Sequence, residues 1–204
     1  KRKQMTTSSG QTYLAIPGPS VIPEEVLRSM HRSAPNIYEG ELIEITKSLI
    51  PDLNYVARSS GNVAIYIANG HGIWEAALSN IATANDHILV VATGRFAHGW
   101  AEMARKLGIK VDVVDFGKNR ALDIEVLAKK LKSEPKTKYK AILMTHVDTS
   151  TSVKNDILNV RKKLDEINCS ALLAVDCIAS LACDKFEMDE WGVDIMVAAC
   201  QKGL

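Results

Sequence analysis

The sequence has almost no charge excess, with 25 lysine and arginine residues against 24 aspartate and glutamate residues. That balance removes the basic footprint of a nucleic-acid binder and gives no reason to expect an acidic partner. Long apolar runs are missing as well. The longest candidate, "ALLAVDCIASLAC" at 171–183, is interrupted by Asp176 and falls short of the roughly 20 residues that span a bilayer. The basic "KRKQ" start has no apolar stretch behind it and does not read as a secretory signal. Cysteine is sparse: Cys169, Cys177, Cys183 and Cys200 show no C-x-x-C spacing, which favours reduced thiols in a cytosolic protein over disulfides or zinc. His71 and His146 lack any companion at metal-ligand spacing, so no metal site is expected. Repeats and low-complexity tracts are absent, and "NCS" at 168–170 reads as a chance glycosylation match.

What remains is the composition of an ordinary soluble globular protein, 47% hydrophobic and 24% charged. Beyond a polar start, Pro17, Gly18 and Pro19 make a rigid turn, and Pro23 followed by Glu24 and Glu25 suits a first helical turn. Residues 24–30 and about 39–50 read as helices. Short apolar runs then read as strands: "VAIYIA" (63–68), "HILVVA" (87–92), "KVDVVDF" (110–116), "AILMTHV" (141–147), "ALLAVD" (171–176) and "DIMVAAC" (194–200). Amphipathic stretches near 72–83, 96–107, 123–132 and 155–167 lie between them. Continuous apolar strands joined by helical crossovers predict an α/β fold, a mostly parallel sheet with helices on both faces.

Such sheets bind ligands where loops leave the carboxyl ends of the strands, and polar or special residues recur there. "NGHG" (69–72) opens a helix, and its free N–H groups and dipole favour an anion such as phosphate. It is no dinucleotide fingerprint, because Glu75 stands where the last glycine is needed, and no phosphate loop of the G-x-x-x-x-G-K-[ST] type occurs. Asp176 closes one buried run and Lys202 another. Singly, each feature has an ordinary reading: a strand-to-helix connection, a carboxylate capping a turn, a lysine snorkelling along a sheet edge, and for Phe96 a core ring. Together, an anion site, a lysine and a carboxylate fit one cofactor, pyridoxal 5'-phosphate, which needs partners for its phosphate, its aldehyde and its pyridine nitrogen.

The segments "PGPSVIPEEV", "GHGIWEAALSN", "GRFAHGWAEMARKLG", "THVDTSTSV", "LLAVDCIAS" and "MDEWGVDIMVAACQKGL" resemble the class V aminotransferases, most of all the serine–glyoxylate and alanine–glyoxylate enzymes. The resemblance runs from about Tyr13 to the last residue, and Lys202 follows Asp176 by 26 residues. It implies a fold-type I large domain over 21–204, an N-terminal segment (1–20) lining the site, and a homodimer; the expected compartment is the cytoplasm, or the peroxisome in a eukaryotic source. It also implies further chain after Leu204, with a C-terminal domain, an arginine for the substrate carboxylate and contacts to a partner subunit. The implied reaction moves the amino group of serine, alanine or aspartate to glyoxylate or pyruvate; a lyase or desulfurase of the same fold, or a non-catalytic scaffold, is the alternative. By position, Lys202 would form the internal aldimine and Asp176 would pair with the pyridine nitrogen. Phe96 would stack on one face of the cofactor and Ile178 on the other. Gly70, His71 and Gln201 match positions around the phosphate, Thr149 a hydroxyl near the ring oxygen, and Gly18 a loop lining the substrate space. The sequence departs from the usual family pattern at "DTSTSV", where Asp148 replaces Glu and Ser152 replaces Gly, at "CIAS", and at Ile37-Tyr38, where many relatives carry His-Arg.

Overall fold

The computed structural model describes residues 14–204, so the 1–13 part of the N-terminal segment lies outside the described residues. Five of the six apolar runs become strands: β1 (His87–Ala92), β2 (Lys110–Asp115), β3 (Ala141–Thr145), β4 (Leu172–Asp176) and β5 (Ile195–Val197). They pair in the order β2-β1-β3-β4-β5, and every pairing is parallel. The central strands β1, β3 and β4 are apolar on both faces because both faces are covered, as a sheet between two helix layers requires.

The helices are α1 (Glu24–Met30), α2 (Glu41–Ala57), α3 (Gly70–Ile81), α4 (Arg95–Lys106), α5 (Ile124–Lys132) and α6 (Ile157–Glu166). Alternation along the strands divides the core in two. Ile88, Val90, Leu143 and Ala174 pack with Trp74 and Leu78 of α3 and with Ala97, Trp100 and Ala104 of α4. Leu89, Val91, Ile142 and Leu173 pack on the other face with Leu127 of α5 and Ile157, Val160 and Leu164 of α6. Each layer is held by a stripe of apolar side chains on one helix face. Asn69, Asp123 and Asp156 cap α3, α5 and α6 with their own side chains, whereas Gly94 before α4 has none to offer.

Two expectations are corrected. The run "VAIYIA" at 63–68 is not a strand; Ile65 and Tyr66 are half exposed and Ile67 fully so. It carries β-forming side chains but no ladder partner among the described residues, since a cleft of about 600 Å³ separates it from β5, the end strand of the sheet. Helix α2 also runs past Pro51 to Ala57. Its far end is anchored: Ala57 is buried, and the carbonyls of Ala57 and Arg58 accept the amides of Met188 and Asp189.

Strand order reverses between β1 and β3. The connection leaving β1 runs to β2 on one side, while β3 leads through α6 to β4 on the other. The loops at the carboxyl ends of these two strands therefore diverge and leave a crevice.

Leu143 sits wholly buried on the central strand, so Leu143→Ala should cost about 2–5 kcal/mol, read as a lowered urea midpoint of the full-length protein.

Candidate active site

Asp176 is the last residue of β4, and its neighbour across the ladder is Thr145, the last of β3. The Asp176 carboxylate is buried beneath the α3 layer. The indole Nε1–H of Trp74 donates to Oδ2 at 2.9 Å and the Ile178 amide donates to Oδ1 at 2.8 Å. Both donors are neutral. Burial therefore dominates and pushes the carboxyl up to about 6, against the smaller lowering by those two hydrogen bonds and by the Lys202 charge.

Lys202 reaches the same region from beyond β5. Its Nζ donates to Thr149 Oγ1 and stands 5.7 Å from the centroid of the Phe96 ring. Desolvation lowers its pKa, and the charges of Asp176 and Asp148 only partly oppose that. Such an amine is more readily neutral than a surface lysine, which suits a nucleophile or a proton acceptor.

The turn at Gly18 lies against this lysine: a Cβ added at Gly18 would stand 2.9 Å from Lys202 Cε. Gly18 also has φ 145°, within the region that favours glycine. The Ser20 amide and hydroxyl donate to the Gln201 carbonyl, and the hydroxyl also donates to the Lys202 carbonyl at 2.8 Å. The early turn and the late lysine are thus tied through the backbone. On the sheet side, a Cβ at Gly70 would stand 2.6 Å from Ile178 Cδ1, so the bare start of α3 makes room for Ile178.

The structure therefore gathers Gly18, Gly70, Phe96, Thr149, Asp176, Ile178 and Lys202 at the carboxyl ends of the strands. The amides of His71 and Gly72 are already taken by the Asn69 side chain at 3.1 Å each, and the His71 ring lies 4.8 Å from that of Trp74. Gln201 engages through its carbonyl. Sequence reading missed Trp74, Ser20 and Asn69. The tryptophan lies one helical turn after Gly70, a spacing that aims it at the end of β4 once α3 is laid on the sheet.

In the loop after β3, Ser152 occupies a left-handed conformation, φ 58°, where the resemblance leads one to expect glycine. A side chain there is strained by about 1–2 kcal/mol.

A family model described as aminotransferase class V matches residues 55–204. The chain is 36% identical over 196 residues to a serine–glyoxylate aminotransferase from Arabidopsis thaliana, covering 96% of this chain and 49% of the relative. It is 35% identical over 200 residues to a serine–glyoxylate aminotransferase from Methylorubrum extorquens, covering 98% and 50%. The solved structure of an alanine–glyoxylate aminotransferase from Nostoc sp. matches with a TM-score of 0.85 at 25% identity, over 92% of this chain and 49% of that one. The chain spans about half the length of the curated relatives it matches.

Two outcomes follow from this geometry. The folded Asp176 carboxyl holds its proton more tightly than the unfolded one, so its contribution to stability is full below about pH 4 and is lost as pH rises through about 6. In cofactor-free protein, Asp176→Asn should abolish that decline, so that the urea midpoint of the variant no longer falls between about pH 4 and 7, measured by urea unfolding across that range. Ser152→Gly should raise stability by up to about 1 kcal/mol in the same assay, because strain relief outweighs the added freedom of the unfolded chain.

Proposed function

The chain belongs to the class V aminotransferase family, and from that premise we propose that the protein is a pyridoxal 5'-phosphate-dependent aminotransferase acting between a small amino acid and glyoxylate or pyruvate. The observation that carries this reading is the pairing of a buried carboxylate whose polar partners are neutral with a desolvated amine at the same strand ends. A carboxylate in that state gains from a cationic N–H donor, which is what a protonated pyridine nitrogen offers. When bound, the cofactor supplies an aldehyde and an electron-withdrawing ring for the substrate α-carbon.

The roles of the protein groups follow. Asp176 would keep the proton on the pyridine nitrogen, and Trp74 and the Ile178 amide hold the carboxylate in place for that contact. Lys202 Nζ, lowered in pKa by its surroundings, moves the proton at the substrate α-carbon. Thr149 sets where that amine rests, and Phe96 and Ile178 offer apolar walls to the ring. The start of α3 at Gly70 and His71 would hold the phosphate, once Asn69 releases the amides it caps. Gly18 and the turn around it, packed against Lys202, would line the substrate space.

Two relatives named for serine and glyoxylate support serine as the first donor to try. A homodimer is supported by the outer surface of the N-terminal helices. No residue of α1 is buried, and Val26, Leu27, Met30, Ile37 and Tyr38 are all exposed, an apolar surface that suits a second copy. The free thiols suit a reducing compartment such as the cytosol. Among the described residues no helix is long and apolar enough to cross a membrane.

The test uses the full-length protein with serine, alanine or aspartate plus glyoxylate. Glycine is the expected product, together with a visible cofactor band. Lys202→Ala should lose both the band and turnover, the latter by roughly 10²–10⁴-fold or more. A colourless protein that gains no band with added cofactor would sink the reading, and ammonia plus a keto acid without glycine would favour a lyase.

A further inference from the structure

Asp148 takes no part in the roles above, yet it is a wholly buried carboxylate at the crevice where strand order reverses. It sits in the loop after β3, directly before Thr149. Its Oδ2 accepts the amides of Phe96 and Ala97 at 3.0 and 3.3 Å, in the first turn of α4 on the opposite side of the crevice. Its Oδ1 accepts the Ser150 amide at 2.9 Å and the Ser150 hydroxyl at 2.6 Å. That hydroxyl in turn accepts the Arg95 amide at 2.9 Å. Helix α4 thus has its first three amides capped from another loop, while its own capping position, Gly94, carries no side chain.

Gly94 is the counterpart of this arrangement. A Cβ there would stand 2.3 Å from the Asp148 Cγ, so any larger residue would drive the carboxylate off the helix end. The positive end of the α4 dipole and four donors face the buried carboxylate. The consequence is mechanical. The amide that Asp148 binds belongs to Phe96, and the next residue along its own chain, Thr149, holds Lys202 Nζ.

We propose that Asp148 is a positioning residue: by capping α4 across the crevice it fixes the Phe96 ring and the Thr149 hydroxyl relative to each other, and so sets the spacing between ring and amine. This rests on the reading that Phe96 and Lys202 face the cofactor. A cap serving stability alone would leave cofactor binding by the folded protein unchanged.

The experiment is a double-mutant cycle in the full-length protein. Asp148→Asn and Ser150→Ala are each made in the wild-type and in the Phe96→Ala background. The cofactor-free proteins are titrated with pyridoxal 5'-phosphate, and their melting temperatures are recorded. Asp148→Asn should weaken binding about tenfold when Phe96 is present and less than about threefold when it is not, since contacts that act through one another are not additive. Ser150→Ala should show the same dependence at smaller amplitude; Ser150 is exposed, so this variant decides the matter if Asp148→Asn fails to fold. Equal losses in both backgrounds, or a lower melting temperature with unchanged affinity, would overturn the proposal. Wild-type protein that binds no cofactor would overturn the functional reading too, whereas tight wild-type binding with unaffected variants overturns this inference alone.

Discussion

Asp176 closes a strand that is buried on both faces, and its carboxylate accepts from the Trp74 indole and one backbone amide, with no salt bridge among the described residues. Keeping a charge there is costly, which is why the carboxyl holds its proton toward neutral pH. Much of the surrounding structure can be understood from that cost. Trp74 must lie on the inner side of α3 to reach the carboxylate, and it is stacked 5.9 Å from Trp100 of α4, so the two helices are registered on each other through the group that serves Asp176. Gly70 at the start of α3 lets Ile178, two residues after Asp176, pack into the same corner. A cationic ligand atom placed against this carboxylate would turn the cost into an attraction.

The second carboxylate, Asp148, meets the same problem of burial with a different solution. Asp176 is left with an open demand for a cation; Asp148 is satisfied by a helix end and by a serine on its own loop. One group is therefore poised for a partner and the other serves as a strut. The loops after β1 and β3 are joined further by Thr151, whose hydroxyl donates to the Thr93 carbonyl, and by Asn155, whose amide donates to the Thr93 hydroxyl and the Thr145 carbonyl. The crevice made by strand order is thus bridged at several points, with Asp148 and Ser150 reaching the first turn of α4.

The sheet could be read from the sequence wherever burial on both faces made the apolar runs continuous, as in "HILVVA" and "AILMT". Reading failed at "VAIYIA", because side-chain preference marks a segment that can be a strand but not whether a neighbouring edge is within reach. Among site residues, Asp176 and Lys202 stood out as charges ending apolar runs, an anomaly visible in one dimension. Trp74, Ser20 and Ser150 carried no such mark. Each looks ordinary beside its sequence neighbours and meets a partner more than fifty positions away.

The sequence by itself determined the α/β class, the parallel sheet and the strand ends where chemistry would lie, together with the lysine and carboxylate most out of keeping with their surroundings. Those features follow from local patterning, since periodicity and the cost of burying a charge are expressed within a few residues. Only the tertiary structure decided which groups meet. It brought the Gly18 turn onto Lys202, the Trp74 indole onto Asp176, and the Asp148 carboxylate onto the start of a helix that has no cap of its own. The reason is geometric: a hydrogen bond between distant segments depends on how strands are ordered and how helices are laid across them, and no single stretch of chain contains that information.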